Sequence, residues 1–324
     1  MSKYEASIII VSLLRHKSLI RCLHSIFENV KGINYEVIVL IDKITEIEAK
    51  EKLRNYYDMD NMKLDCSTEK RGRVRCRNIG IKMANSPIVV FIDDDVVVTP
   101  GWLNEILKYY RNENVVGVGG SRIKFDKNAP LRQLWFLIHK NKTGSIYKDG
   151  TVISNFTPKK KKIEYVDCLP GANMSFRKKN LLDVGGFDTF FDRGNAFREE
   201  TDLSLRIGKY GSLIFNPKAL VYHFEEREGR ENKKESYYYR NFNNTYFFIK
   251  NIYSGGKIQW AMYIIKNFMS SIFLSFLEKS PHPILQFKKG IKDCVKLMDE
   301  KLIESLSENP YPLTEKNQTP IKKS

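Results

Sequence analysis

Residues 86–100 read Ser86-Pro-Ile-Val-Val-Phe-Ile-Asp93-Asp94-Asp95-Val-Val-Val-Thr-Pro100. The run from Ile88 to Ile92 is apolar and rich in β-branched residues, which is typical of a strand covered on both faces. It leads directly into three carboxylates. Because side chains two apart on an extended chain point the same way, Asp93 and Asp95 should share one face and Asp94 the other.

Paired carboxylates at the end of a buried strand have two interpretations. In open α/β sheets, ligands bind beyond the carboxyl ends of the strands, where Asp93 and Asp95 fall. A bound cation relieves their mutual repulsion, and carboxylate, phosphate and water oxygens suit Mg²⁺ or Mn²⁺. The alternative is an Asp-rich turn that only ends the strand, and the triplet alone does not decide between the two.

The amino-terminal part of the chain alternates strand and helix patterns. Residues 6–12 and 36–41 are apolar enough for buried strands, and residues 18–30 and 45–57 have helical periodicity, with Ser18 as a predicted cap. Short links between such elements predict a doubly wound α/β sheet.

Composition limits the class of protein. The chain has 324 residues, a formal charge of +16 and five scattered cysteines. The charge favours anionic partners such as nucleotide phosphates, nucleic acid or an acidic membrane surface. Unpaired cysteine spacing, with no signal-peptide cleavage pattern at the amino terminus, predicts a reduced, cytoplasmic protein.

Arginines recur at alternate positions between Glu69 and Gly80, at Arg71, Arg73, Arg75 and Arg77. Gly72 before a helix start, with basic side chains around it, suits a diphosphate. A solvated basic face or a nucleic-acid contact is the alternative.

Further motifs follow in the second half of the chain. Residues 171–174 (Gly-Ala-Asn-Met) lead a strand, residues 185–188 (Gly-Gly-Phe-Asp) form a turn, and residues 199–203 (Glu-Glu-Thr-Asp-Leu) begin a helix. Helix capping explains one or two of those acids but does not require three in four positions. A last strand, residues 214–222, delivers His223.

The carboxyl-terminal region changes character. Residues 261–277 are mainly apolar with a polar stripe (Lys266, Asn267, Ser270, Ser271, Ser275). This helix is expected to pack on the rest of the protein, and a position in a membrane interface remains the alternative. The predicted divisions are a catalytic domain over residues 1–225, a helical region over 226–306 and a disordered tail over 307–324.

Taken in order, these motifs resemble an inverting family-2 glycosyltransferase with a GT-A fold, over residues 6–223. The resemblance implies a Rossmann-like, doubly wound mixed α/β sheet with a carboxyl-terminal helical extension. It also implies a metal-dependent transferase that moves a sugar from a nucleoside-diphosphate sugar, with a UDP-sugar favoured, to a hydroxyl of a carbohydrate, glycolipid or protein-glycan acceptor.

Roles for individual residues come from the same resemblance. It makes Glu200 the general base, and Asp95 and His223 the ligands of Mn²⁺ or Mg²⁺. The expected donor-binding residues contact the base, ribose, phosphates and sugar: Asp42, Arg71, Arg77, Asp93, Asp94, Gly171 and Ala172.

The chain departs from the family at three places. Residues 11–14 read Val-Ser-Leu-Leu where Pro-Thr-Tyr-Asn is common, and residues 41–43 read Ile-Asp-Lys where Asp-Asp-Gly-Ser is usual. Both segments lie around the expected base and ribose, so the identity of the nucleotide is not decided. The base motif reads Glu-Glu rather than Glu-Asp, which gives Glu200 one extra methylene.

Two other classes remain as alternatives. A sugar nucleotidyltransferase usually has a Gly-rich first loop, which residues 12–16 lack. A non-catalytic protein that binds nucleic acid or lipid would use the positive charge alone. Because the basic residues are not gathered on a recognisable module, no nucleic-acid partner is expected. Peripheral contact with the inner face of a membrane is left open.

Overall fold

The computed structural model describes residues 3–13, 15–57, 60–124, 142–224 and 232–308. Their strands are β1 Ala6–Leu13, β2 Tyr35–Asp42, β3 Met62–Ser67, β4 Ile88–Asp93, β5 Val96–Val98, β6 Val115–Lys124, β7 Ser145–Ile146, β8 Val152–Ile153, β9 Glu164–Tyr165, β10 Asn173–Arg177 and β11 Ser212–His223. Their helices are α1 His16–Asn29, α2 Glu46–Lys52, α3 Arg54–Tyr57, α4 Arg73–Met83, α5 Trp102–Leu107, α6 Lys178–Asp183, α7 Glu199–Ile207, α8 Lys233–Asn251, α9 Lys257–Glu278 and α10 His282–Glu308.

The central sheet is mixed. Its strand order is β3-β2-β1-β4-β10-β6-β11-β5, with β9 beside β11. Strands β1 to β4 pair in parallel, whereas β10 runs antiparallel between β4 and β6. The predicted α/β class and the helical extension after the sheet are therefore confirmed.

The register of the sheet gathers several strand ends at one edge. Leu13 lies opposite Asp42, and Val11 lies opposite Asp93. Because β10 is antiparallel, it begins where β4 ends, so that residues 171–172 enter the same edge. His223 lies opposite Val96, immediately after the aspartate triplet.

Helices cover both faces of the sheet, which explains why β1, β2 and β4 read as continuous apolar runs. Alternate residues of each strand enter two separate cores. The first packs on α1 and α5 through Ile8, Ile10, Leu19 and Trp102. The second packs on α4, α7 and α8 through Ile9, Phe91, Val74, Leu203 and Phe247.

Helix boundaries differ from the sequence pattern at two places. Helix α1 begins at His16 with Arg15 as its N-cap residue, so Ser18 lies inside the first turn rather than at the cap. The predicted helix at 45–57 is divided at Leu53 into α2 and α3, and Thr45 forms a capping box with Glu48.

The helical extension packs on the catalytic fold through α8. Asn243 of α8 donates to the carbonyls of Phe191 and Arg193, both at 3.2 Å. The predicted boundary at 225/226 falls outside the described residues and stays a prediction. Helix α10 still includes Ser307 and Glu308, and the rest of the predicted tail lies outside the described residues.

Candidate active site

Two aspartates and a histidine converge at the end of β4. The Nε2 atom of His223 lies 3.0 Å from Oδ1 of Asp95 and 3.8 Å from Oδ2 of Asp93. One ligand atom from each residue falls within 4.8 Å of the others. Asp93 is 15% exposed, while Asp95 is buried. The side chains of Asp93 and Asp95 therefore meet on one side of the chain, as the alternation predicts.

These three residues fit a divalent cation. Within the described part of the chain, Nδ1 of the buried His223 has no hydrogen-bond partner, and its Nε2 faces the carboxylates of Asp95 and Asp93. Because a buried imidazole with an unsatisfied nitrogen is costly, its position against two carboxylates indicates a ligand position. Two carboxylate oxygens and one imidazole nitrogen suit Mn²⁺, and Mg²⁺ can use the oxygens.

Asp94 faces away from that cluster. Its Oδ2 accepts a hydrogen bond from Ser12 at 2.5 Å, and its Oδ1 lies 2.5 Å from Nη2 of Arg15. Burial raises the pKa of Asp94 to about 6, although Arg15 and Ser12 act in the opposite direction. The sequence placed Asp94 among the donor-binding residues. In the structure Asp94 is a buried support of the turn, and its contact with the donor stays a prediction.

Arg15 connects the triplet to the start of α1. Its guanidinium contacts both Asp94 and Oδ2 of Asp95, the latter at 2.9 Å, which leaves Oδ1 of Asp95 facing His223. Sequence reasoning missed Arg15. The available signal was a lone arginine between the end of β1 and a helix start, at the edge where the triplet also lies. Arg15 therefore acts as a positioning residue for Asp95.

Replacing Arg15 by glutamine should weaken Mn²⁺ binding by about 10- to 100-fold, because the loss of groups that orient metal ligands has effects of that order. A Mn²⁺ titration followed by electron paramagnetic resonance measures it. Lys17→Gln is the matched control, since Lys17 is an exposed cation in the same helix turn. Thermal unfolding confirms that each variant is folded, and unchanged Mn²⁺ affinity in folded Arg15→Gln contradicts the assignment.

Arg77 is more deeply buried than we expect of a residue that binds a phosphate of the donor. It is 3% exposed, and its Nη1 lies 2.7 Å from Oε1 of Glu199. Its Nη2 donates to the carbonyl of Gly171 at 3.2 Å and to Oδ1 of Asp93 at 3.3 Å. The partners of Arg77 in the structure are therefore protein groups and not the predicted diphosphate. Through them, Arg77 connects Asp93 at the end of β4 to the start of α7.

Asp42 and Arg71 form a second pair at the end of β2. Oδ1 of the buried Asp42 accepts from Nε of Arg71 at 2.8 Å, and its Oδ2 accepts from the Gly72 backbone at 3.0 Å. Arg71 also contacts Asp65. Asp192 accepts from the backbone N–H groups of Val74 and Arg75, both at 3.3 Å. Protein carboxylates therefore compensate part of the positive charge at the amino end of α4, and the bound anion stays a prediction.

The arginine side chains of this segment still face a cavity. Its volume is about 460 Å³, and it is lined by five cations against one carboxylate (Lys70, Arg71, Arg73, Arg75, Arg193 and Asp192). Nη1 of Arg73 lies 3.9 Å from Oδ1 of Asp93, so the cavity borders the aspartate cluster. Gly72 permits this close packing, because a Cβ there would lie 2.2 Å from Asp192 and its φ is +97°.

Two neighbouring glutamates at the start of α7 have different surroundings. Glu199 is buried against Arg77, and burial raises its pKa well above the usual range, with the charge of Glu200 adding to the rise. Glu200 is partly exposed and lies beside Gly171, where a Cβ would be 3.4 Å from Cγ of Glu200. Glu200 is therefore the more accessible carboxylate at this edge.

Gly171 and Ala172 have different positions. Gly171 lies between the carboxylate of Glu200 and the guanidinium of Arg77. Ala172 is 2% exposed and belongs to the core that packs on α1 and α5. The buried side chain of Ala172 therefore does not support the predicted contact with the donor. Of the two residues, Gly171 is the one that lies next to Glu200.

Residues from α8 hold the turn of residues 185–188, which the sequence did not indicate. Lys250 of α8 lies 2.7 Å from Oδ2 of Asp188 and 2.8 Å from Oδ1 of Asp202. Tyr246 donates to Asp188 at 2.7 Å, and Arg206 pairs with Asp202 at 2.8 Å. This network connects the Gly-Gly-Phe-Asp turn and the helix of Glu200 to the helical extension.

Comparison with known families gives a direct match. Residues 7–181 match the family model described as Glycosyl transferase family 2. A glucosyl-dolichyl phosphate glucuronosyltransferase from Haloferax volcanii is 26% identical over 205 residues, which cover 59% of this chain and 60% of that protein. The chain thus matches less than two thirds of that relative's length.

Two solved structures share the fold. A mannosyltransferase from Pyrobaculum calidifontis, solved with GDP-Man and Mn²⁺, has a TM-score of 0.57 at 16% identity, covering 95% of this chain and 81% of that one. GalNAc-T7, solved with UDP, GalNAc and Mn²⁺, has a TM-score of 0.58 at 16% identity, covering 95% of this chain and 58% of that one. The predicted GT-A fold is confirmed by this likeness.

Proposed function

The chain belongs to glycosyl transferase family 2, and from that premise we propose that it transfers a sugar from a nucleoside-diphosphate sugar to a hydroxyl with inversion. It would be a metal-dependent enzyme of the hexosyltransferase type. One observation carries the proposal: two features lie at the same edge of the sheet. The first is a metal-ligand cluster that borders a basic cavity, and the second is a partly exposed Glu200 beside Gly171. The first feature suits a diphosphate and the second suits proton removal from an alcohol.

The basic cavity is the proposed donor site. Five cations around about 460 Å³ complement the negative charge of a nucleoside diphosphate. The two solved neighbours contain GDP-Man and UDP, which supports the class of donor. A UDP-sugar is the favoured donor. Asp42, at the end of β2 and bonded to Arg71, is the candidate for the base, and Asp93 is the candidate for the ribose.

Asp95 and His223 would hold Mn²⁺ or Mg²⁺, with Asp93 close enough to contribute. When bound, the ion would supply positive charge against the charge that develops on the departing diphosphate. Arg73, 3.9 Å from Asp93 at the cavity wall, adds a fixed positive charge on the same side. Arg15 would keep Asp95 turned towards His223.

Glu200 would act as the general base. The acceptor oxygen bonds to the anomeric carbon, the bond from that carbon to the diphosphate oxygen breaks, and the acceptor proton passes to Glu200. The nucleoside diphosphate leaves with the electron pair of the broken bond. Arg77 neutralises Glu199, so that the neighbouring Glu200 is the carboxylate left to take the proton. Attack from the side opposite the leaving group gives inversion.

The acceptor is proposed to be a glycolipid, among the carbohydrate, glycolipid and protein-glycan acceptors that the family resemblance allows. The Haloferax relative is named for action on a glucosyl-dolichyl phosphate, which supports a lipid-linked acceptor. The described helices include one, α9, that is long and apolar enough to cross a membrane by length and composition. We place the protein in the cytoplasm, at the inner face of the membrane.

A donor screen tests the function. UDP- and GDP-sugars are incubated with the protein and Mn²⁺, and release of the nucleoside diphosphate is measured with and without EDTA. We expect metal-dependent release from at least one donor, which EDTA abolishes and added Mn²⁺ restores. If no donor is hydrolysed or transferred with metal present, the proposal is wrong.

The same assay separates the two rival classes. A sugar nucleotidyltransferase would instead release pyrophosphate from a nucleoside triphosphate and a sugar phosphate. A protein that only binds nucleic acid or lipid would show salt-dependent binding and no turnover of any donor.

A further inference from the structure

Helix α9 exposes a continuous apolar stripe. The exposed large residues recur with helical periodicity and lie on one side of the helix: Ile258, Met262, Ile265, Met269, Ile272, Phe273, Phe276 and Leu277. From Ile258 to Phe276 the stripe is about 27 Å long at the usual helical rise. Ile258 and Phe276 are 78% and 80% exposed.

The opposite side of α9, which packs on the protein, is partly polar. Asn267 accepts from Asn244 of α8 at 3.4 Å and donates to the carbonyl of Tyr263 at 2.8 Å. Ser271 is buried and donates to the carbonyl of Asn267 at 2.9 Å. Tyr263 is buried against Thr245, with 3.1 Å between their hydroxyl oxygens. Asn267 and Ser271 of the sequence-predicted polar stripe therefore face inward, and the apolar stripe faces outward.

A helix on the surface of a water-soluble protein exposes its polar side, whereas α9 exposes an apolar stripe although aromatic residues of its other side, Trp260, Tyr263 and Phe268, also pack on the protein. A contiguous exposed apolar patch of this kind indicates an interaction surface. Three occupants are conceivable: a second copy, another protein and a lipid bilayer. Charge around the stripe favours the bilayer.

Cations lie at both ends of the stripe and on the neighbouring helix. Exposed Lys257 and Lys279 lie at the two ends of α9. Lys266, beside the stripe, turns its Nζ to the backbone carbonyl of Asp149 at 2.6 Å. Helix α10, joined by a short turn, carries four exposed lysines on one side (Lys288, Lys289, Lys292 and Lys296). Apolar residues flanked by lysines are typical of helices that lie on an anionic membrane surface.

The inward side of α9 is linked to the catalytic end of α7. Asn244, which donates to Asn267 of α9, accepts from Nε of Arg198 at 3.1 Å. Arg198 immediately precedes Glu199 and Glu200 and has a positive φ of 78°. A chain of two hydrogen bonds thus connects the helix with the exposed stripe to the residue before the two glutamates.

We propose that α9 lies along the surface of an anionic lipid bilayer, with its apolar stripe in the boundary between headgroups and acyl chains. The polar contacts of Asn267 keep the other side of the helix on the protein, so α9 lies on the bilayer and does not cross it. Docking in this way brings the start of α7 near the membrane, where a lipid-linked acceptor would be. That last consequence rests on the proposed function, whereas the docking itself does not.

Vesicle binding by the full chain tests the docking. The protein is sedimented with vesicles of phosphatidylcholine alone and with vesicles that also contain phosphatidylserine. We expect binding to the anionic vesicles that is weaker on the neutral ones and is released by alkaline carbonate, as for a peripheral protein. The triple variant Ile265→Ser/Met269→Ser/Phe273→Ser should bind at least about tenfold more weakly, because it removes three apolar side chains from the membrane boundary.

A matched variant controls for the general loss of surface hydrophobicity. Ile47→Ser/Tyr165→Ser/Tyr210→Ser removes three exposed apolar side chains that lie outside α9, and it should bind vesicles like the unmodified chain. Absence of vesicle binding, or equal binding by the α9 variant, overturns the docking. Loss of self-association in the α9 variant without vesicle binding would instead assign the stripe to a second copy. Retention on vesicles after carbonate would contradict a helix lying on the surface.

Donor hydrolysis in solution separates this inference from the proposed function. The α9 variant should hydrolyse the nucleotide sugar in solution like the unmodified chain, since the stripe does not contact the cavity. Membrane docking without any donor turnover would refute the enzyme activity and leave the docking intact.

Discussion

Replacing Glu200 by glutamine is expected to lower sugar transfer by about 10²- to 10⁴-fold, the range that general base catalysis contributes. Glutamine keeps the size and polarity of the side chain but cannot accept the proton of the acceptor. The donor cavity is lined by other residues, so binding of the nucleoside diphosphate should not change. Transfer rates and calorimetric binding of the donor nucleotide measure the two effects separately.

Two variants make the Glu200 experiment specific. Glu235→Gln removes an exposed first-turn glutamate from another helix, α8, and should leave both measurements unchanged. Glu199→Gln removes the carboxylate that pairs with Arg77 at 2.7 Å, so its main expected effect is on stability. Turnover of Glu200→Gln equal to that of the unmodified protein would show that another group takes the proton.

Replacing Asp95 by asparagine or alanine is expected to weaken Mn²⁺-dependent binding of the donor nucleotide by at least about 100-fold. The basis is that even residues behind the ligands cost 10- to 100-fold when removed. Asp95 is the carboxylate nearest to His223, so its loss leaves the imidazole without its closest ligand partner. Calorimetric titration of UDP with and without Mn²⁺ measures the effect.

Asp94→Asn is the internal comparison for Asp95. Asp94 belongs to the same triplet but faces Ser12 and Arg15, so its replacement should act on the metal only through Arg15 and weaken metal-dependent binding less than Asp95→Asn does. Both carboxylates are buried, so either substitution could lower the stability of the fold. Circular dichroism therefore checks that each variant is folded. Equal metal dependence in a folded Asp95→Asn and the unmodified protein would remove Asp95 from the site.

Sequence patterns predicted those parts of the site that depend on strand geometry. The apolar run before Asp93 locates β4, and the two-residue period puts Asp93 and Asp95 on one side. These inferences need only the order and type of neighbouring elements. The role of His223 came instead from the family resemblance, and the structure brings it next to them because β11 pairs with β5, directly after the triplet.

Ion pairs between residues far apart in the chain could not be predicted from the sequence in the same way. Arg77 and Glu199 are separated by 122 residues, and Arg15 and Asp95 by 80. Nothing local distinguishes the buried Arg77 from Arg73 and Arg75, whose side chains line the cavity. Which arginines meet a ligand and which meet a carboxylate depends on how α4 packs against α7.

Helix α9 shows a different limit. Its polar and apolar stripes were both visible in the sequence, and the usual rule directs the apolar side inward. The structure places Asn267 and Ser271 inward because Asn244, Tyr263 and neighbouring groups satisfy them there. Periodicity identifies the sides of a helix but not which of them meets the protein.

The buried guanidinium of Arg77 has a consequence for how this protein can evolve. It contacts Asp93 on the proposed donor side, the carbonyl of Gly171, and Glu199 beside the proposed general base, Glu200. A substitution that suits a new donor at Asp93 would leave that cation unbalanced and disturb the residue adjoining Glu200. Substitutions on the two sides are therefore coupled, and a change of donor nucleotide at Asp93 would need a compensating change beside Glu200.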